Sequence, residues 1–163
     1  MPVELKGSCH CGAVRFSVES STPVPYQLCL CSICRKVGGV GGSINLGGHS
    51  KTLEVEGKEN LSIYKAVLNR DTPEEKIASS ERNFCKKCSA MLWLYDATWP
   101  EYIHPFASAI DSPELEAPKT LTCIKLDSKP SYVRLPEGRK DVYEGYAPNS
   151  LEEWHKKHKL FKD

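Results

Sequence analysis

Val14, Phe16 and Val18 alternate with Arg15, Ser17 and Glu19. A period of two turns one face of an extended segment inward and the other to solvent, so this stretch predicts a half-buried strand. The same spelling returns at Leu53 with Val55, at Leu61 with Ile63, and around Ile77. Gly57-Lys58-Glu59-Asn60 and Asp71-Thr72-Pro73 supply turn signals between these runs. Leu92 to Tyr95, Ile103 to Ala107 and Tyr132 to Leu135 are further candidate strands. Many short strands joined by turns predict a mainly β chain whose antiparallel sheet folds over on itself. Trp93, Trp99 and Phe106 are expected in its core.

Helical spacing is scarce and local. Ser32 is placed to cap a short helix through Ile33, Cys34, Arg35 and Lys36, which the following glycines stop. Near the end, Ser150 and Glu153 spell a capping box, and Leu151, Trp154, His155 and Leu160 give the apolar face of a C-terminal helix. The stretch from Pro105 to Thr120 holds three prolines and is expected to run irregularly over the surface.

Composition narrows the classes of function. The 163 residues fit a single domain with its own core, spanning 1–163. No run approaches the ~20 apolar residues of a membrane span. The opening Met1-Pro2-Val3-Glu4-Leu5-Lys6 has neither a signal-peptide nor a transit-peptide pattern, so a cytoplasmic place is expected, with the nucleus as the other candidate. Lys and Arg total 22 against 21 Asp and Glu, without a basic arm, so no nucleic-acid partner is expected. Lys156, Lys157, Lys159 and Lys162 are flanked by Glu152, Glu153 and Asp163 and read as a solvated face. His10 is expected to point outward, and His155 and His158 to lie at the surface.

The chemistry lies in the cysteines, of which there are eight. In a reducing compartment, clustered cysteines point to metal rather than to disulfides. Cys9-His10-Cys11-Gly12 and Cys85-Lys86-Lys87-Cys88 are two tight turns far apart in sequence, and four thiolates complete the tetrahedral shell of a structural zinc. Cys29-Leu30-Cys31-Ser32-Ile33-Cys34 brings three more sulfurs together at a helix start. Three protein ligands with a vacant fourth position describe a catalytic zinc, unless Cys123 or a histidine closes the shell. Cys123 otherwise reads as a buried small hydrophobe. Arg35 and Lys36 follow the ligands, and then Gly38, Gly39, Gly41, Gly42 and Ser43, whose open backbone suits a small acidic peptide or anion. The segment has neither a Rossmann fingerprint nor a P-loop ending, which disfavours nucleotides.

In order, Gly7-Ser8-Cys9-His10-Cys11-Gly12 with Val14 and Phe16, then Cys29-x-Cys31-Ser32-x-Cys34-Arg35-Lys36, then Phe84-Cys85-x-x-Cys88 resemble the glutathione-dependent formaldehyde-activating enzyme family, which includes centromere protein V. The resemblance covers about residues 3–110 and leaves about 111–163 as a C-terminal extension. Trp99-Pro100-Glu101, Ile103 to Asp111 and Ser150 to His155 are similar to a fungal subgroup. The resemblance implies an Mss4-like β-tent fold with two Zn2+ per chain, one held by Cys9, Cys11, Cys85 and Cys88 and one by Cys29, Cys31 and Cys34. It also implies a carbon–sulfur lyase joining glutathione, as co-substrate, to a small aldehyde; formaldehyde would give S-hydroxymethylglutathione. The alternative is a non-catalytic glutathione carrier or an Mss4-like protein-interaction module. The family places Gly after the second knuckle, where this chain has Ser89.

Overall fold

The computed structural model describes residues 1–163. In chain order its strands are β1 Val3–Ser8, β2 Arg15–Ser20, β3 Gln27–Cys29, β4 Ser43–Ile44, β5 Gly48–His49, β6 Glu54–Glu56 and β7 Leu61–Leu68. Next come β8 Lys76–Cys85, β9 Met91–Tyr95, β10 Tyr102–Pro105, β11 Ile110–Ser112, β12 Leu121–Ile124 and β13 Lys140–Val142. Helix α1 is Ser32–Gly38, and α2 is Leu151–Lys157 near the C-terminus. No helix is long and apolar enough to cross a membrane.

The strands form three sheets, in the orders β11-β1-β2-β6, β5-β10-β9-β8-β7 and β13-β12-β3-β4. The first two are antiparallel throughout, as the alternation predicts. The third is mixed, because β12 runs parallel to both β3 and β13. Between β3 and β12 the chain builds most of the other two sheets, a connection long enough to bring it back in the same direction.

The largest core lies between the first two sheets and includes Leu5, Val14, Phe16, Leu92, Trp93 and Phe106. Phe16 meets Trp93 edge-on, with ring centroids 5.1 Å apart. Such a pair adds about 0.5–1.5 kcal/mol beyond area burial. Gly7, directly across from Phe16, is required there: a Cβ would sit 2.5 Å from the ring. A smaller core under the third sheet holds Leu28, Leu30, Cys123 and Val133. A third seats α2, where Trp154 stacks on Tyr26 at 3.7 Å. The capping box closes as spelled: Ser150 Oγ accepts from Glu153 N at 3.2 Å, and Ser150 N donates to Glu153 at 2.8 Å.

Several expectations are corrected. Tyr132 to Leu135 is not a strand: Pro130 and Pro136 bracket it, and Val133 N donates to Pro130 O at 3.1 Å, which turns the chain. Ile63 and Ile77 do lie on strands but are 51% and 61% exposed. They sit on the β7–β8 arm, where β7 is a sheet edge and residues 76–80 have no third strand beside them. The Pro105–Thr120 stretch is partly regular, since β11 pairs with β1. Trp93 and Phe106 are buried as expected, whereas Trp99 is 57% exposed. His158 is exposed, but His155 is fully buried. Its Nδ1 donates to Leu151 O at 2.7 Å and its Nε2 accepts from Val24 N at 3.0 Å, an arrangement that requires the neutral ring.

Candidate metal centres

Cys9 and Cys11 occupy the β1–β2 turn. Gly12, at φ 76, closes it, with Gly12 N donating to Cys9 O at 3.1 Å. Cys85 ends β8 and Cys88 lies in the next turn, where Ser89 takes φ 65 and donates from its N to Cys85 O at 2.7 Å. These two turns, 74 positions apart, bring four sulfurs within 4.8 Å of one another. Cys9 and Cys11 Sγ are 3.6 Å apart, and Cys11 and Cys85 Sγ 3.8 Å. A tetrahedral ion with sulfur ligands at ~2.3 Å sets its sulfurs about 3.8 Å apart, so the group has the dimensions of a tetrathiolate shell. All eight cysteines are free of disulfides.

Backbone amides steady the charge of this group. Backbone N–H groups of Cys11 and Ala90 lower the Cys88 thiol to about 6. Burial works to raise Cys9, yet Val14 N, 3.2 Å from its sulfur, and the neighbouring thiols hold it below the ordinary range. His10, between the two cysteines, is exposed as expected.

The second group is local. Cys29 ends β3, Cys31 is the N-cap of α1 and Cys34 lies in its first turn, with the three sulfurs within 4.8 Å. The cap is Cys31 and not Ser32: Cys31 has extended backbone, and its Sγ accepts from Cys34 N at 3.3 Å. One sulfur therefore serves both as helix cap and as candidate ligand. The Cys29 and Cys34 thiols, together with the Cys34 and Ile33 amides, pull Cys31 down to about 2 against the effect of burial, while Cys29 is pushed far up. Three sulfurs this close cannot all ionise unaided, and a divalent cation is what would let them.

No fourth protein ligand joins this group. Cys123 is directly beside Leu28 in the parallel register and packs with Leu28, Leu30 and Val133. Strand alternation sends Cys29 to the opposite face, so Cys123 is the buried hydrophobe and not a closing ligand. Ser43, on β4 opposite Cys29, is buried beside Cys34; the Cys29 thiol and the Ser43 hydroxyl act to lower the Cys34 thiol, but Cys31 and burial outweigh them and raise it.

The glycine-rich segment divides in two. Gly42, at φ 79, lies against Cys29, and a Cβ there would collide with the Cys29 carbonyl oxygen. Gly38 similarly abuts Ser43. Gly39 and Gly41 face open space. Arg35 Nε donates to Leu30 O at 3.2 Å, which ties the guanidinium to the ligand loop, and Lys36 is exposed. The sequence gives no hint of the sulfur cap, because statistics of capping favour oxygen side chains.

Residues 4–125 match the family model described as glutathione-dependent formaldehyde-activating enzyme. The chain belongs to this family. A Halomonas elongata protein, whose name assigns it provisionally to glutathione-dependent formaldehyde activation, is 47% identical over 153 residues, covering 93% of this chain and 94% of that protein. A crystal structure of a Rhodobacter sphaeroides protein superposes with a TM-score of 0.52 at 26% identity, covering 67% of this chain and 90% of that one. In this formaldehyde-activating family member, all seven clustered cysteines lie inside the matched residues, and α2 lies outside them.

Proposed function

We propose that this protein is a zinc-dependent carbon–sulfur lyase-type enzyme that joins the glutathione sulfur to a small aldehyde, formaldehyde giving S-hydroxymethylglutathione. The observation that carries the reading is the convergence of Cys29, Cys31 and Cys34 with no fourth protein ligand beside them. Cys9, Cys11, Cys85 and Cys88 would hold a structural zinc, and Cys29, Cys31 and Cys34 a second. A zinc ion at the three-cysteine group would supply a Lewis acid able to keep a substrate sulfur deprotonated at neutral pH.

The chain's own groups set the rest of the site. The Cys34 amide fixes Cys31 through the helix cap, and Ser43 steadies Cys34. Gly39 and Gly41 leave an uncluttered surface beside the ligands for a peptide backbone, with Gly38, Gly42 and Ser43 shaping the loop beneath it. Arg35 and Lys36 are the cations on α1 available to glutathione carboxylates. In the addition, the sulfur–carbon bond forms as the carbonyl π-bond breaks, and the proton lost by the thiol ends on the new hydroxyl. Holding both reactants in one geometry accelerates an addition that proceeds slowly by itself.

Exchange NMR with 13C-labelled formaldehyde and glutathione tests the proposal. Zinc-loaded protein should speed adduct formation above the uncatalysed rate in proportion to its concentration, and Cys31→Ser should abolish the increase. Zinc-loaded protein that leaves the rate unchanged while still binding glutathione would identify a carrier instead.

A further inference from the structure

Away from both cysteine groups lies a cleft of about 360 Å³, within the roughly 300–1,000 Å³ range of small-molecule sites. None of the eight cysteines lines it. Its walls come from the segment after β2, from β5, from the stretch Trp99 to His104, and from residues around α2. The contributions of α2 lie beyond residue 125, outside the region matched to the family. One wall of the cleft therefore stands outside the family-matched residues, and the space is far larger than formaldehyde needs.

Its lining specifies a ligand class. Trp99 and Tyr102 are 57% and 36% exposed, and Phe161 also lines the cleft, so three aromatic rings bound the space. His104 Nδ1 is 3.2 Å from Leu46 O, a group that can only accept. The ring proton is therefore on Nδ1, and Nε2 remains an acceptor without a protein partner. His104 lines the cleft beside Tyr102, two residues earlier on the same face of β10. Burial lowers the His104 pKa, which keeps the ring neutral. His49 is held through Nε2, 2.9 Å from Ser21 Oγ. The one carboxylate, Glu152, is paired with Lys156. No free cation is present to hold an anion, and no unpaired carboxylate to hold a cation.

We infer that this cleft is a second small-molecule site, built for a neutral aromatic compound of one or two rings that lies against Trp99 and Tyr102 and donates an O–H or N–H to His104 Nε2. The site is independent of the thiol chemistry at the cysteines.

The test uses the full, zinc-loaded chain with 2-naphthol and its donor-less counterpart 2-methoxynaphthalene, followed by amide NMR. Saturable shifts centred on Gly47, Gly48 and His49 are expected with 2-naphthol. The methoxy compound should bind about fivefold more weakly, the share of one neutral hydrogen bond. Trp99→Ala should weaken 2-naphthol by about tenfold through loss of the ring wall. His104→Phe should erase the difference between the two probes; if that variant does not melt cooperatively, the probe pair on the native chain and Trp99→Ala decide the matter. Absence of saturation, shifts centred instead on the separate groove that Val55, Ile63 and Tyr95 line between the first two sheets, or equal affinities for the two probes would overturn the inference.

Discussion

The two cysteine groups differ in how much chain each one ties together. Cys9 and Cys11 lie in the turn joining two strands of the first sheet, Cys85 ends a strand of the second and Cys88 follows in the next turn, and Cys9 and Cys85 are themselves part of the largest core. An ion among these four sulfurs would clamp two sheets across a long loop. Cys29, Cys31 and Cys34 span six residues of one β3–α1 corner and sit at the margin of a smaller core. An ion there would close no long loop, so it would add little to folding and leave a coordination position for chemistry. The same ligand atom would thus do structural work in one place and be available for reaction in the other, and chain topology would make the difference.

Breaking the clamp should give the largest effect. Cys85→Ser replaces a fully buried ligand and leaves three sulfurs without their fourth; we expect a loss of at least about 4 kcal/mol, or no cooperative melt at all, at fixed zinc. If Cys29→Ser cost as much in the same melts, the distinction between the centres would fail.

A backbone change tests the corner without touching a ligand. Gly42→Ala forces a side chain into a left-handed conformation and against the Cys29 carbonyl. It should cost about 2–3 kcal/mol and weaken zinc at the three-cysteine group selectively, as read by competition with a chromophoric chelator. Weakening at the four-cysteine group instead would contradict the placement of the loop.

Acid sharpens the comparison by adding a region without metal. His155 is held below its ordinary pKa by burial, with the nearby His158 charge acting in the same direction and the Leu151 carbonyl opposing. The unfolded chain therefore takes up this proton first as pH falls. Stability contributed by the neutral ring is fully present above about pH 6.5 and is lost below it, by up to ~1.4 kcal/mol per pH unit until the folded pKa is reached. His155→Gln should remove that component from melts between pH 7.5 and 5, leaving the acid sensitivity of His104, also lowered by burial, and of the thiolates. An unchanged pH profile would mean that His155 does not govern the docking of α2.

The smallest effect is a gain. Ser89 adopts φ 65 in the knuckle, a conformation that costs a side-chain-bearing residue about 1 kcal/mol and glycine almost nothing. Ser89→Gly should raise stability by about that amount and leave the three-cysteine group untouched. A loss of stability would show that the Ser89 side chain contributes something beyond its backbone.

Much of this architecture was legible in the chain because its signals are local. Alternation at Val14, Phe16 and Val18 gave β2, the Ser150 and Glu153 pair gave the cap of α2, and cysteine spacing gave both sulfur groups. Signals failed where a distant partner decides the outcome. Ile63 and Ile77 have strand spelling, but the exposure of Ile63 depends on β7 ending the sheet and that of Ile77 on where β9 stops. His155 reads as a surface residue until Val24, 131 positions away, supplies a donor to its ring. The aromatic cleft has no period to reveal it, since its walls come from four separate segments. Cys31 as helix cap is masked by Ser32, one residue later, whose hydroxyl fits the oxygen preference of N-caps that a thiol lacks.

The central claim is that the three-cysteine centre is open and takes a thiol through its sulfur. Calorimetric titration of the zinc-loaded chain with glutathione and S-methylglutathione tests it directly, with Cys31→Ser in parallel. Serine is itself a good N-cap, so this variant should keep its melt within about 0.5 kcal/mol while losing a ligand. Glutathione should bind the native chain, S-methylglutathione at least about tenfold more weakly, since a thioether cannot become a thiolate, and Cys31→Ser should bind neither. Equal affinities for the two peptides, or glutathione binding unchanged in Cys31→Ser, would contradict the account.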